Sequence, residues 1–241
     1  MANKKINGDL ILEVTQKCNM DCDHCLRGKC RNVNITHEII DATLDKFGYI
    51  GMLTFTGGEP TLNVEAIEYT VEQIKKRGIS IGGFYVVTNA QKFSARLVTA
   101  LLQLYVISDE REMCGLTVSV DEFHDDYDET AYDIYSCLPF FRTDKEHRNY
   151  DLGEYLINRG NAEEYGIGTR DMDVTMFSPE YAEVYNDEIS FTEYIYINAK
   201  GYVFFDCDLS YKMQDELQTI NVLTDDISEW MESQMKELIP A

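Results

Sequence analysis

Three cysteines within eight residues form the densest group of metal-binding side chains in the sequence. Cys18, Cys22 and Cys25 have the spacing C-x3-C-x2-C and follow a short apolar run. Thiolates are soft ligands that suit iron–sulfur clusters and zinc. Three of them on one loop can bind three irons of a 4Fe-4S cluster and leave the fourth iron open to another ligand. A zinc ion is the alternative, and it would take a fourth ligand from His24 or Cys30.

A second motif with possible chemistry is Thr56-Gly57-Gly58-Glu59-Pro60, which follows the next predicted strand. Glycine has no Cβ, so a ligand can approach the backbone closely at Gly57 and Gly58. The Glu59 carboxylate can hold an ammonium group through a charge-assisted hydrogen bond. By itself, the motif is equally typical of a tight turn between a strand and a helix.

The elements that would position these motifs alternate between strands and helices over the first two-thirds of the chain. Such alternation predicts strand–helix units around a parallel sheet. The predicted strands are Leu10–Val14, Met52–Phe55, Phe84–Val87, Leu116–Val120 and Tyr155–Ile157. The first predicted helix is Thr36–Phe47, with Thr36 as N-cap and Gly48 as the stop. A second helix carries Val64, Ile67, Val71 and Ile74 and ends before Gly78, and a third carries Leu97, Leu101 and Leu104. A weaker helix is predicted over Tyr132–Phe141.

The pattern changes beyond about residue 166. Two runs rich in aromatic residues, Glu193–Ile197 and Tyr202–Phe205, flank the turn sequence Asn198-Ala199-Lys200-Gly201 and predict a β-hairpin. A closing helix is predicted over Ile227–Leu238. We therefore expect a core over residues 1–165 and a small α+β extension over residues 166–241.

The two motifs, in this order and one strand apart, resemble the radical S-adenosylmethionine (SAM) superfamily. Its signature is a C-x3-C-x2-C loop after the first strand and a Gly-Gly-Glu motif at the end of the second. The resemblance covers roughly residues 9–159. It implies a partial (β/α)6 barrel with the active site at the carboxyl ends of the strands, where parallel barrels place their functional loops. The strand–helix pattern independently favours this fold class.

The resemblance also assigns the motif residues to two cofactors. It implies that the three cysteines ligate one 4Fe-4S cluster, and that the amine and carboxylate of SAM chelate the open iron. The Gly-Gly-Glu segment, here Gly57, Gly58 and Glu59, would contact the methionyl amine. His24 stands where the family usually has an aromatic residue near the adenine, which is a small departure from the pattern.

Two further pairs at strand ends match the family less specifically. Thr88 and Asn89 close the third predicted strand, and Ser119 and Asp121 close the fourth, where a Ser-x-Asp element often faces SAM or substrate. Alternation along a strand puts Ser119 and Asp121 on the same face. Polar capping of the strand ends is an equally good explanation for these residues.

The chemistry that the resemblance implies is reductive cleavage of SAM. An electron from the cluster releases methionine and a 5'-deoxyadenosyl radical, which abstracts hydrogen from the substrate. The protein then supplies orientation and exclusion of water while the cofactors carry the chemistry. An electron donor such as flavodoxin or ferredoxin is an expected partner.

Cys207 bears on the substrate. The segment Asp206-Cys207-Asp208 follows the hairpin and resembles the opening of the SPASM or twitch extension of family members that modify peptides. No further cysteine follows, so we expect no second cluster. For Cys207 itself we favour packing on the same face as Phe205 over hydrogen donation to a substrate radical.

Three hypotheses for the function follow from these residues. A peptide or protein substrate is the leading one. A nucleotide or another small molecule is the second. The third is a non-catalytic regulator that binds zinc or an iron–sulfur cluster, in which the Gly-Gly-Glu motif would have no purpose.

Composition limits the remaining partners. The formal charge of −22, from 43 acidic and 21 basic residues, would repel phosphate backbones and anionic membrane surfaces, so nucleic acid is not expected as the main partner. The first residues contain no apolar signal region, and no stretch reaches the roughly 18 apolar residues that cross a bilayer. We expect a cytoplasmic protein with one main core. Its seven cysteines, an odd number with three in one short loop, suit a metal site better than a disulfide framework and fit a reducing compartment.

Overall fold

The computed structural model of the protein describes residues 4–120, 123–124, 127–143, 155–218 and 220–237. Its strands are β1 (Lys5–Thr15), β2 (Phe47–Gly57), β3 (Ser80–Thr88), β4 (Gly115–Val118), β5 (Phe141–Arg142), β6 (Ala182–Tyr185), β7 (Glu188–Ile197) and β8 (Val203–Phe204). Its helices are α1 (His37–Leu44), α2 (Val64–Arg77), α3 (Ala95–Ile107), α4 (Glu129–Ser136), α5 (Asn161–Glu164), α6 (Tyr211–Glu216) and α7 (Ile227–Glu237).

The strands form one open sheet in the order β5-β4-β3-β2-β1-β7-β6, and β8 pairs with β7. Strands β1 to β5 run parallel to their neighbours, and so does β7 beside β1, whereas β6 and β8 are antiparallel to β7. The register pairs Thr15 with Gly57 and Thr88 with Val118. The loops after β1, β2, β3 and β4 therefore leave the same edge of the sheet. The expected α/β fold class with a parallel sheet is confirmed, and the structure shows that this sheet is open.

Helices α1, α2 and α3 cover the sheet with the apolar faces that the sequence predicts. The buried positions include Ile39, Ile40, Leu44, Val64, Ile67, Val71, Ile74, Leu97, Leu101 and Leu104. Thr36 caps α1, as predicted, by accepting a hydrogen bond from the Ile39 N–H. These helices pack with the strands into one large apolar core.

The end of α1 is where the sequence prediction was wrong by three residues. The helix ends at Leu44 and not at Phe47, so Gly48 is not its stop. Phe47 instead begins β2 and pairs with Ile6 of β1. Phe47 is only 1% exposed there, and an aromatic side chain packs well on a pleated, half-buried surface. The sheet therefore captures a residue whose spacing also fitted the helix.

The predicted fifth strand was also wrong. Tyr155–Ile157 is not a strand, because Ile157 forms only an isolated bridge to Arg170. The place beside β4 is taken by β5, in which Phe141 pairs with Leu116. The weak helix predicted over Tyr132–Phe141 is α4, which ends at Ser136, before a Pro139 that could not donate a helical hydrogen bond. Strand β4 ends at Val118, two residues earlier than predicted.

The C-terminal hairpin is confirmed in β7 and β8, and it is part of the main sheet. Tyr196 pairs with Phe204, while Leu12 of β1 pairs with Ile197 of β7. The predicted division of the chain at residue 165 stays a prediction. Within the described ranges, no helix is both long and apolar enough to cross a membrane.

Candidate functional site

The predicted site residues meet in one cavity at the carboxyl edge of the sheet. The cavity has a volume of about 500 Å³, within the range of typical ligand pockets. Every predicted site residue that the structure describes lies on its wall: Cys18, Cys22, His24, Cys25, Gly57, Gly58, Glu59, Thr88, Asn89, Ser119 and Cys207. Asp121 lies outside the described residues. The arrangement follows from the parallel register, which brings the ends of β1 to β4 to one edge.

The three cysteines lie on the loop that leaves β1. All three are half-buried and none is in a disulfide. Burial raises the pKa of the Cys18 thiol, and the nearby Glu59 carboxylate raises it further. A thiol must lose its proton to become a metal ligand, so metal binding here would release protons.

Gly57 and Gly58 allow the cysteine loop to lie directly against the end of β2. The Gly58 N–H donates to the Thr15 carbonyl at 2.9 Å, and the Glu59 N–H donates to the Lys17 carbonyl at 2.8 Å. A Cβ at Gly57, which has a φ of 152°, would come within 2.1 Å of the Thr15 carbonyl oxygen, and one at Gly58 within 2.2 Å of the Lys17 carbonyl oxygen. The two glycines are therefore needed for packing against the cysteine loop, whether or not they also contact a ligand in the cavity.

Glu59 joins the end of β2 to the end of β3. Its carboxylate is 2% exposed and accepts hydrogen bonds from the Thr88 hydroxyl at 2.7 Å and from the Asn89 N–H at 2.9 Å. It also accepts a bond from the Thr61 N–H at 3.0 Å. Glu59 therefore holds Thr88 and Asn89, which the sequence indicated as a separate pair of site residues. The Asn89 amide in turn donates to the Asn19 side chain in the cysteine loop at 2.9 Å.

Sequence reasoning missed the residues that hold the cysteine loop from behind. Asn161 is 4% exposed, and its backbone and side-chain amides donate to the Cys25 and Cys22 carbonyls, each at 2.9 Å. Gly160 has a φ of 63°, and a Cβ there would meet the Leu26 carbonyl oxygen at 2.4 Å and the Cys25 carbonyl oxygen at 2.6 Å. Nothing in the local sequence indicates this contact, because 139 residues separate Asn161 from Cys22.

Arg27, two residues after the last cysteine, was missed as well. Its guanidinium donates to the Leu209 carbonyl at 2.6 Å, lies over the Tyr196 ring with 5.0 Å to the ring centroid, and faces the cavity. Burial by itself would lower the pKa of Arg27, but Tyr196 and Glu13 raise it above its usual range. Glu13 is fully buried in β1 and accepts hydrogen bonds from Tyr196, Gln16 and Ala199. A permanent positive charge therefore borders the cysteine loop.

Cys207 lies on the cavity wall, in a bend and not on a continued strand. β8 ends at Phe204, and Asp206 points inward with 5% exposure, so the alternation expected along this segment is absent. The Cys207 N–H donates to the Tyr194 hydroxyl at 3.2 Å, and burial raises the pKa of its thiol. The choice between packing and hydrogen donation for Cys207 stays a prediction.

His24 takes part in a ring cluster at the cavity wall. Its ring centroid lies 4.7 Å from that of Phe123 and 4.9 Å from that of His124. Aromatic rings in such contacts provide an apolar surface that suits a planar ligand.

Comparison with known families decides the identity of the fold. The sequence model of the radical SAM superfamily matches residues 12–177. The chain belongs to the radical SAM superfamily. None of the curated proteins matches it in sequence.

Solved structures of radical SAM enzymes share this fold at low sequence identity. The chain is similar to anSMEcpe solved with AdoMet and the Cp18Cys peptide, with a TM-score of 0.56, 15% identity, and coverage of 98% of this chain and 82% of that one. For anSMEcpe with AdoMet and the Kp18Cys peptide, the TM-score is 0.57 and the identity 14%, with coverage of 97% of this chain and 83% of that one. For SuiB of Streptococcus suis bound to its precursor peptide SuiA, the TM-score is 0.49 and the identity 12%, with coverage of 97% of this chain and 66% of that one.

Membership of the radical SAM superfamily implies that the enzyme uses SAM and an iron–sulfur cluster. The donor set of this cavity fits an iron–sulfur cluster. Three thiols that form no disulfide lie on one loop, and the glycines leave room against it. In the described part of the chain, no group of three or more His, Cys, Asp and Glu side chains converges to hold a single metal ion. A cluster spreads its protein ligands over separate irons, so it does not require such convergence.

Proposed function

We propose that this radical SAM enzyme binds a 4Fe-4S cluster through Cys18, Cys22 and Cys25, cleaves SAM reductively, and abstracts hydrogen from a peptide or protein. The observation that carries the proposal is the cavity of about 500 Å³, whose wall carries the three thiols together with residues at the ends of β2, β3 and β4. A cluster with three protein ligands keeps one iron open, and this cavity has room for a second ligand beside it.

The bound cluster would supply the electron that cleaves SAM into methionine and a 5'-deoxyadenosyl radical. The chain's own residues orient the reactants and exclude water. We assign the methionyl amine to the Gly57–Glu59 segment, where glycines permit close approach to the backbone. We assign the adenosyl part to the region of His24, Thr88, Asn89 and Ser119, which line the same cavity. Asp121 stays a predicted contact on the segment after β4.

Two observations support a peptide or protein substrate. The anSMEcpe structures of similar fold contain bound peptides. The cavity of this chain is also walled by two segments beyond the motifs, residues 155–157 and 207–208, and Tyr155 there is 51% exposed. An exposed aromatic side chain at the cavity wall offers an apolar contact for a substrate side chain. We further propose that flavodoxin or ferredoxin supplies the electron.

Anaerobic reconstitution with iron and sulfide tests the cofactor assignment. We expect a brown protein with about four irons and four sulfides per chain, which produces 5'-deoxyadenosine from SAM when dithionite is added. A colourless protein that holds zinc would contradict the proposal. A brown protein that never cleaves SAM would support the non-catalytic alternative.

Isotope transfer tests the substrate class. The reconstituted enzyme is given SAM, dithionite and either a perdeuterated peptide digest or a perdeuterated nucleoside mixture. Abstraction moves deuterium from substrate to 5'-deoxyadenosine, so we expect a deuterium label only with the peptides. Label only with the nucleosides would favour the small-molecule alternative.

A further inference from the structure

The Tyr211 hydroxyl is a buried polar group that lacks a hydrogen-bond partner in the described part of the chain. Tyr211 is the first residue of α6, the residue is 2% exposed, and its hydroxyl makes no hydrogen bond to any residue that the structure describes. An unsatisfied buried hydroxyl is destabilising, so such groups call for an explanation.

The hydroxyl belongs to a residue that lines a small second cavity behind the cysteine loop. This cavity has a volume of about 50 Å³, and Cys18, Cys22, Cys25 and Tyr211 all lie on its wall. Tyr211 does not line the large cavity, where Glu59, Thr88 and Ser119 lie. Tyr211 therefore lies beside the cysteine loop and away from the residues proposed to contact the adenosyl group.

Several contacts fix the Tyr211 ring in this place. Its backbone N–H donates to the Arg27 carbonyl at 3.0 Å, and the Arg31 guanidinium lies over the ring, 5.2 Å from its centroid. The preceding residue, Ser210, caps α6 by accepting a bond from the Met213 N–H at 3.3 Å. A cation over the ring draws electron density from it, which favours the hydroxyl as a donor.

Two other polar side chains of this region, Glu13 and Gln214, already have hydrogen-bond partners. Both carboxylate oxygens of Glu13 accept bonds from Tyr196, Gln16 and Ala199. The Gln214 amide nitrogen donates to the Tyr196 hydroxyl and the Leu209 carbonyl. The Gln16 side-chain oxygen also lacks a partner, but Gln16 does not line the cysteine cavity. Asp21 also lines the small cavity, but among the described residues the Tyr211 hydroxyl makes no hydrogen bond to it. Cluster sulfur held by the three cysteines would supply an acceptor on the same cavity wall.

We propose that the Tyr211 hydroxyl donates a hydrogen bond to sulfur of the bound cluster, either a cysteine thiolate or an inorganic sulfide, and so raises the reduction potential of the cluster. The inference rests on the proposed cluster at Cys18, Cys22 and Cys25. Reduction adds negative charge to the cluster, so a donor stabilises the reduced form more than the oxidised form. Tyr211 is then a tuning residue supplied by the C-terminal segment.

The test is the midpoint potential of the reconstituted cluster without SAM, followed by EPR during a redox titration. Tyr211→Phe removes only the hydroxyl and keeps the ring under Arg31. We expect unchanged iron and sulfide content, and a reduction equilibrium constant about tenfold lower, which corresponds to a potential about 59 mV more negative. Tyr202→Phe is the matched control, because Tyr202 lies in the same C-terminal segment but lines neither cavity.

A second variant keeps the test decisive if Tyr211→Phe does not fold. Incorporation of 3-fluorotyrosine at position 211 preserves the ring and strengthens the hydroxyl as a donor, so the potential should rise. Unchanged potentials in both variants would overturn the role of Tyr211 and leave the cluster assignment intact. A parent protein that assembles no cluster would overturn the proposed function and this inference together.

Discussion

The three thiols on the loop after β1 differ from the other cysteines in their surroundings. Cys18, Cys22 and Cys25 line both cavities, whereas Cys137 is exposed at the end of α4 and its thiol donates to the Asp133 carbonyl. We expect Cys18→Ala, Cys22→Ala and Cys25→Ala each to lose most of the iron and all cleavage of SAM, because two thiolates leave the cluster under-ligated. Iron analysis and the yield of 5'-deoxyadenosine measure this, with Cys137→Ala as the control.

Cys30 separates the cluster from the zinc hypothesis. It is exposed but touches the small cavity beside the three cysteines. A 4Fe-4S cluster with an open iron needs no fourth protein ligand, so Cys30→Ala should keep its iron. Loss of metal in Cys30→Ala would instead indicate a four-ligand site.

The Glu59 carboxylate links the end of β2 to the end of β3 through its hydrogen bonds with Thr88 and Asn89. We expect Glu59→Ala to raise the SAM dissociation constant about tenfold to a hundredfold, since one charged hydrogen bond is worth roughly 1.5 to 3 kcal/mol. Iron content should stay near that of the parent, because the thiols are untouched. Equilibrium binding of SAM measures the effect, and Glu65→Ala, an exposed carboxylate in the first turn of α2, is the control. A dissociation constant equal to that of the parent would remove Glu59 from the SAM site.

At the scale of elements, the cysteine loop is clamped between the end of β2 and the turn that begins α5. Gly160→Ala would push a Cβ into the Leu26 and Cys25 carbonyls, so we expect a loss of about 3 kcal/mol in unfolding free energy and reduced iron retention. Gly166→Ala is a matched control with a φ of 67° and no atom within 4 Å of the new Cβ. It should cost only the backbone term of about 1 to 2 kcal/mol and keep its iron. Equal iron retention in the two variants would show that the clamp is dispensable.

At the scale of the whole molecule, a buried ion pair ties the segment after residue 155 to the C-terminal region. The Arg159 guanidinium and the Asp206 carboxylate are 3.2 Å apart with side-chain exposures of 4% and 7%. Arg159 also donates to the Asp208, Met172 and Asp173 carbonyls. The pair thus holds two walls of the large cavity together.

Breaking this pair should destabilise the protein strongly. Asp206→Ala leaves a buried guanidinium without its charge partner, which costs about 3 to 5 kcal/mol in unfolding free energy. Glu68→Ala breaks the exposed pair with Arg96 and should cost about 1 kcal/mol or less. Chemical denaturation of both variants measures the difference, and a similar small loss in each would contradict a structural role for Asp206.

Features that depend on neighbouring residues could be predicted from the sequence. Spacings of a few residues indicate all of these features: the C-x3-C-x2-C and Gly-Gly-Glu motifs, the alternation of strands and helices, the cap at Thr36 and the hairpin of β7 and β8. Because parallel strands end at one edge, these local patterns were enough to bring Cys18, Glu59, Thr88 and Ser119 into one cavity.

The distant residues that contact the cysteine loop became visible in the folded chain and not in the sequence. Asn161 and Tyr211 reach the cysteine loop from the C-terminal part of the chain, and the Leu209 carbonyl that Arg27 binds is 182 residues away. Phe47 and Tyr155–Ile157 were misjudged for the same reason, because pairing across the sheet overrides local preference. Such contacts depend on how elements pack, and packing is set by the shape and burial of surfaces that no short stretch of sequence contains.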